Sequence, residues 1–371
     1  MAAEYLNPRT GETYALDVPR WCSPDRAPLL LTPQPGITRD GVDTSTRSLW
    51  RYRAALALSI AEPITLGEGC TPLVPRVLHG ARVHVKCEWF MPTGSFKDRG
   101  ASVMLSFLRA QGIDAVLEDS SGNGGAAISA YAAAGGLRAT ILAPASTSPA
   151  KTVQMRVHGA AVDLVPGTRQ DTSDEAVRRS DSVFYASHNW HPFFLEGTKT
   201  LAYELWEDLG FCAPDNVIVP CGAGSNVLGC EIGFAELLRA GAIARMPRIF
   251  AAQPANCAPI ADPGAPILPT LAEGTAIAQP IRRSEVLAAL QSTAGRAVTS
   301  TEAEIADATF DLAKLGIYVE PTSAQVASVF AKLLASGTIG AHETTVLVLT
   351  GSGLKATPRM ADLLELRSRP A

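Results

Sequence analysis

The segment Pro92-Thr93-Gly94-Ser95-Phe96-Lys97-Asp98-Arg99-Gly100 sets one lysine between an aromatic ring and an acid, directly after a Thr-Gly-Ser turn. Pro92, Gly94 and Ser95 end what precedes, and Ala101-Ser102-Val103-Met104-Leu105 opens an apolar helical run. An amine at such a helix start is partly desolvated. Burial lowers its pKa, and an amine so lowered is a nucleophile near neutral pH. A lysine at a helix start is also a common surface feature. What separates Lys97 from that case is the company of other loops suited to the same chemistry.

Ser120-Ser121-Gly122-Asn123-Gly124-Gly125 lies between a short apolar strand near Ala115–Leu117 and a helix of small residues. Hydroxyls and backbone N–H groups at a helix start make an anion site, and glycine lets the backbone approach a ligand closely. Gly222-Ala223-Gly224-Ser225-Asn226 follows the strand Val217–Pro220 and precedes another helix. Successive N–H groups in that turn form a nest for phosphate, helped by the helix dipole. Val227 stands where a third glycine would complete a dinucleotide fingerprint, and no Gly-Lys-Ser/Thr ending makes a P-loop. Leu349-Thr350-Gly351-Ser352-Gly353-Leu354-Lys355 ends the last apolar strand, and Glu320-Pro321-Thr322-Ser323-Ala324 reads as a further helix start.

These loops need a scaffold, and the chain alternates strand and helix to provide one. Strands are expected at 83–87, 140–143, 161–165, 217–220, 248–252 and 345–349. Helices are expected after Lys97 and at 125–134, 151–158, 197–209 and 227–240. Continuous apolar strands between helices imply parallel sheets covered on both faces. The expected fold class is α/β with two lobes, each an open, mostly parallel sheet covered by helices. His84 and Lys86, on one face of their strand, are expected at a partly solvated edge.

The nine residues around Lys97 resemble the cofactor-lysine motif of pyridoxal-phosphate enzymes of fold type II, most of all the threonine synthase family. Leu66-Gly67-Glu68-Gly69-Cys70-Thr71-Pro72-Leu73, the Ser120–Asn123 loop, Leu195-Glu196-Gly197-Thr198-Lys199-Thr200 and the Thr350–Lys355 segment also resemble that family, in its order, over roughly residues 60 to 360. The resemblance implies that Lys97 binds pyridoxal 5'-phosphate as a Schiff base, in a cleft between the lobes, and then moves the substrate's Cα proton. It implies that Ser120, Ser121, Gly122 and Asn123 grip the substrate carboxylate, with Asn123 also at the cofactor's phenolic oxygen. Gly222, Ala223, Gly224, Ser225 and Asn226 would cradle the phosphate, and Thr350 would face the pyridine nitrogen. A neutral hydroxyl there leaves a weaker electron sink, which favours elimination and replacement over transamination.

Two positions depart from the family. The residue after Asn is usually a hydroxyl residue in threonine synthases and here is Gly124. An arginine just before Leu-Glu-Gly can bind substrate phosphate there, and here it is Phe194. An aromatic ring cannot neutralise a phosphate dianion. His188, His191 and Lys199 are candidates to compensate. The histidines are equally able to cap a turn, and Trp190, Phe193 and Phe194 to be core. The expected function is therefore a lyase of the threonine synthase family, closest to conversion of O-phospho-L-homoserine to L-threonine. The alternatives are a serine/threonine ammonia-lyase, a β-replacing synthase on a non-phosphorylated amino acid, and a non-catalytic ligand-binding relative.

Bulk properties exclude other classes. The chain has 371 residues, enough for two lobes, and 47% are apolar, enough for a large core. Net charge is −4 with scattered lysines and arginines, so neither a nucleic-acid stripe nor a polybasic membrane anchor is present. No apolar run is long enough to cross a bilayer, and the N-terminus does not read as a signal peptide. Seven cysteines without a Cys-x-x-Cys pair argue against a disulfide framework or a zinc site, and a cytoplasmic location is expected. The domain reading is residues 1–40 as a degenerate, metal-free N-terminal segment that loosely resembles the family's zinc-ribbon-like one. Residues 41–90 and 186–371 form a large cofactor-binding domain, and 91–185 a smaller substrate-side domain carrying Lys97. The resemblance also implies a homodimer.

Overall fold

The computed structural model describes residues 2–368. β1 (Glu4–Leu6), β2 (Thr13–Ala15) and β3 (Leu30–Leu31) form a small antiparallel sheet in the order β2-β1-β3. Tyr5, Leu16 and Leu29 fasten it to the body by joining an apolar cluster with Phe107, Tyr131 and Phe193. Cys22 is a free thiol within this segment.

The antiparallel hairpin β4 (Leu73–Leu78) and β5 (Ala81–Cys87) comes next, followed by α1 (Lys97–Ala110). Then β6 (Ala115–Glu118), α2 (Asn123–Gly135), β7 (Arg138–Pro144), α3 (Pro149–Val157), β8 (Ala161–Val165), α4 (Arg169–Arg179) and β9 (Phe184–Tyr185) build a four-stranded parallel sheet, ordered β8-β7-β6-β9. After α5 (Pro192–Thr198) and α6 (Thr200–Asp208) the chain returns to the other lobe through β10 (Asn216–Pro220), α7 (Ser225–Arg239) and β11 (Arg248–Pro254). It continues as α8 (Arg283–Ser292), β12 (Arg296–Ser300), α9 (Glu302–Lys314), α10 (Pro321–Ala335), β13 (Thr345–Leu349) and α11 (Thr357–Ser368). The second sheet runs β12-β11-β10-β13-β5-β4, parallel except for β4.

Every residue of β10 and β13 is buried. Their unbroken apolar runs follow from being central parallel strands with helices on both faces. Two expected elements differ. The stretch 197–209 falls in two helices: Pro192 at a first turn capped by His191 starts α5 early, and α6 follows after Lys199, whose own backbone stays helical. Lys86 is not at a solvated edge: β5 lies between β13 and β4, and the lysine is fully buried, bonded to Glu204 at 2.6 Å and Asp208 at 2.7 Å.

α1 is buried from Asp98 through Leu108, since it stands between the two sheets' helical layers. α5 packs on it by backbone contact. A Cβ built on Gly197 would lie 2.0 Å from the Arg99 carbonyl oxygen, so only glycine permits this approach. Arg99 closes the junction, donating to Glu88 at 2.7 and 2.8 Å and to Glu204 at 2.9 Å, with all three side chains buried. A buried cation with three charge-assisted bonds fixes α1, and with it Lys97, against the larger sheet.

Candidate active site

Lys97 is the first residue of α1. Its ammonium lies over the rings of Phe96 (4.7 Å to the centroid) and Phe194 (5.4 Å). No hydrogen bond to it occurs among the described residues. Burial lowers its pKa from 10.5 to about 8, and the nearby Glu118 carboxylate opposes that shift. Desolvation outweighs the aromatic faces and the anion, so the amine is poised to act as a nucleophile.

The loops at the carboxyl ends of β6, β10 and β13 reach toward this lysine through a continuous series of contacts. The Phe96 N–H donates to the Thr350 carbonyl at 3.0 Å, and Ser352 N–H to the Gly94 carbonyl at 3.1 Å. Ser323 Oγ lies 3.0 Å from the Thr350 hydroxyl and accepts the N–H groups of Thr350 (3.0 Å) and Gly351 (2.8 Å). The next residue back, Thr322, accepts the Gly274 N–H at 3.0 Å, and the Gly274–Thr275 backbone closes over Gly222. Asn123 donates to Glu320 at 3.3 and 3.4 Å, joining the α2 start to the α10 start. Crevices outside strand carboxyl ends are where open α/β sheets bind ligands.

Gly224 caps α7 with a φ of +95°, a left-handed conformation that glycine adopts without strain. A Cβ there would also strike Val286 at 2.2 Å. Both side-chain polar atoms of Asn226 are buried without a hydrogen-bond partner. Ser225 is buried at the same helix start. The turn therefore offers unpaired donors to an anion. Around Ser120–Asn123, Ser120 Oγ accepts the Gly122 N–H at 3.4 Å, Ser121 is half-buried, Gly122 is exposed, and α2 begins at Asn123.

His188 stands beside this turn. Its Nδ1 is 2.7 Å from Glu118, whose other oxygen accepts the His188 backbone N–H at 3.0 Å. Burial, then repulsion from Lys97, holds the imidazole well below its usual pKa, and burial pushes the Glu118 carboxyl up to about 7. Phe194 is fully buried, with its ring edge-on to His188 at 5.7 Å and packed against Gly100. It supports Lys97 from below.

Lys199, expected to touch substrate, is placed elsewhere. Its ammonium is buried and bonded to Glu196 (2.8 Å), Glu236 (3.0 Å) and the Ala55 carbonyl (2.9 Å), so it has no charge to offer a ligand. His191 is a cap and core residue. Its Nδ1 accepts the Phe193 N–H at 3.2 Å, and burial drives its pKa down to about 3. Glu68 of the Gly-Glu-Gly loop is buried too, accepting from Trp50, Ser102 and Tyr131. Glu118 went unnoticed in the sequence; the available signal was an acid directly after an apolar strand and before a serine turn. Ser323, which holds the Thr350 turn, lies in the Glu320–Ala324 helix start singled out in the sequence, where no feature distinguished it from its neighbours.

A profile described as pyridoxal-phosphate dependent enzyme matches residues 64–351. The chain belongs to this family, and its fold is type II. Its cofactor is pyridoxal 5'-phosphate. Among curated proteins, threonine synthase of Methanosarcina acetivorans is 33% identical over 347 residues, covering 89% of this chain and 85% of that one. Threonine synthase of Synechocystis sp. is 36% identical over 328 residues, covering 84% and 85%. On these similarities the chain is a member of the threonine synthase family. Among solved structures, the processed form of threonine deaminase isoform 2 from Solanum lycopersicum superposes with a TM-score of 0.68 at 22% identity, covering 81% and 88%. O-ureido-L-serine synthase gives 0.66 at 20% identity, covering 81% and 94%. The last two show a shared fold.

Proposed function

We propose that this chain is a lyase acting on the side chain of a small amino acid, with Lys97 as its catalytic residue. The observation that carries the reading is the desolvated Lys97 amine standing with two helix-start anion sites, one of which holds an unpartnered Asn226 amide. Bound pyridoxal phosphate supplies an electron sink for charge developing at the substrate's Cα. Gly222, Ala223, Gly224, Ser225 and Asn226 would hold its phosphate ester through backbone N–H groups and the Asn226 amide. Thr350, oriented by Ser323, would offer the ring nitrogen a neutral hydroxyl, and Asn123 would serve the phenolic oxygen.

Ser120, Ser121, Gly122 and Asn123 orient the substrate through its carboxylate at the start of α2. Lys97 would hold the cofactor and, once freed, take and return the Cα proton, a task for which a pKa of about 8 suits it. Fully buried walls at Phe194 and Glu118 keep water from the amine's inner side. The first activity to test is that of the named relatives, formation of threonine from O-phosphohomoserine. The second is elimination or replacement on serine or threonine, favoured by Gly124 and Phe194.

The two-lobe division at residues 91–185 is supported by sheet membership: β6 to β9 share one sheet, β4, β5 and β10 to β13 share another, and β1 to β3 form the small N-terminal sheet. No helix among the described residues is long and apolar enough to cross a membrane. Seven free thiols support a reducing cytoplasmic setting, and the family resemblance supports a homodimer. The test is turnover by the cofactor-loaded protein, read as phosphate release from O-phosphohomoserine and as keto-acid formation from serine and threonine. Activity in either assay that disappears in Lys97→Ala is expected. A loaded protein inert in both assays would overturn the reading.

A further inference from the structure

We propose that His188, backed by Glu118 in space opened by Gly124, is the specificity-determining residue of this site, and that it selects an amino acid with an uncharged side-chain hydroxyl over one carrying a phosphate dianion. The inference rests on the lyase reading above and deepens it.

Gly124 and His188 form one structural unit. A Cβ built on Gly124 would lie 2.9 Å from His188 Nδ1, 3.0 Å from its Cε1 and 2.9 Å from Ser120 Oγ. A side chain at 124 and the imidazole therefore exclude each other. His188 fills the place beside the Ser120–Asn123 turn that a hydroxyl residue at 124 would use. Its ring also stands against Phe194, which underlies Lys97. With the carboxylate at the turn and Cα at the Lys97 amine, His188, in contact with both the turn and the Phe194 ring under Lys97, is a polar side chain placed to meet the substrate's remaining arm.

The charges around it are unfavourable to a dianion. Glu118 lies behind the ring at 2.7 Å. Asp119 follows, accepting from Arg169 at 2.6 Å and from the Tyr185 hydroxyl at 2.7 Å, so the Arg169 guanidinium is already paired. Lys97 is committed to the chemistry. The His188–Glu118 pair carries a net charge of −1, or zero with one added proton. In neither state does it supply the cation a phosphate needs. Proton placement does not alter its fit to a hydroxyl. With the proton on Nδ1, the outer ring nitrogen accepts; with a protonated Glu118 donating to Nδ1, the outer nitrogen donates. A hydroxyl satisfies either arrangement, whereas a phosphate dianion only accepts.

The experiment uses the cofactor-loaded protein and equilibrium titration of its visible absorption band with four ligands: L-homoserine, L-serine, L-2-aminobutyrate and O-phospho-L-homoserine. Homoserine and serine are expected to bind at least tenfold more tightly than O-phosphohomoserine. In His188→Phe, which keeps a ring of similar size, hydroxylated ligands should weaken roughly five- to tenfold while 2-aminobutyrate is unchanged, because only a hydrogen bond is lost. In Glu118→Gln the discrimination against the phosphorylated ligand should shrink. Equal weakening of all four ligands in His188→Phe would mean a merely structural role and overturn the proposal. If His188→Phe fails to fold, Glu118→Gln decides: unchanged discrimination against O-phosphohomoserine in that variant would overturn the proposal. Tighter binding and phosphate release with O-phosphohomoserine would overturn the proposal and leave the lyase reading intact. A band that no amino acid perturbs would overturn both.

Discussion

The Lys97 amine titrates at about 8 instead of 10.5 because burial strips its solvation. At pH 7 this raises its uncharged, nucleophilic fraction from roughly 0.03% to about 9%, a gain of about 300-fold. The consequence is measurable as the rate at which cofactor-free protein captures pyridoxal phosphate, followed by growth of the visible band. That rate should climb with pH through 8 and level off by about 9. An ordinary lysine would keep gaining beyond 10. Glu118→Gln supplies the perturbation. Glu118 pulls the Lys97 pKa upward, and with its own pKa of about 7 it is ionised where Lys97 titrates. Removing the anion makes the ammonium less stable, so the plateau should move to lower pH. A rate still rising past pH 10 in the wild type, or a profile that Glu118→Gln moves upward, would refute the reasoning.

Other perturbations have calculable directions. Gly197→Ala drives a methyl into the Arg99 carbonyl and should cost about 1–3 kcal/mol by urea unfolding. Arg99→Met leaves Glu88 and Glu204 buried without their shared cation and should cost about 3–5 kcal/mol in the same assay. Asn226→Ala should weaken cofactor binding tenfold or more by equilibrium dialysis. The cofactor-free protein should stay within about 0.5 kcal/mol of wild-type stability, since the Asn226 amide has no protein partner to lose.

What was legible in the sequence was local. The Lys97 segment, the Ser120–Asn123 and Gly222–Asn226 turns and the Thr350 strand end each follow a strand-turn-helix pattern within about ten residues, and the structure sets all four at strand or helix ends facing one another. What was not legible depends on partners far along the chain. Lys199 and Lys86 look like free cations until α6 and α7 bring Glu236, Glu204 and Asp208 to them. His188 and Glu118 meet across 70 positions, and only the folded backbone shows that Gly124 makes room for the ring. β12 and α8 are hard to read because residues 281–300 mix small and polar types without a clear apolar period, whereas α9 does carry one in Ile305, Ala308 and Leu312. A capping box at Thr301–Glu304 was the local signal available for α9.

The account stands on Lys97 holding the cofactor covalently, and borohydride reduction of the loaded protein followed by peptide mass mapping tests it most directly. A single adduct on the peptide containing Lys97, with loss of the visible band, is the expected result. An adduct on another lysine such as Lys86, Lys199 or Lys355, or none on a protein that binds the cofactor, would contradict it.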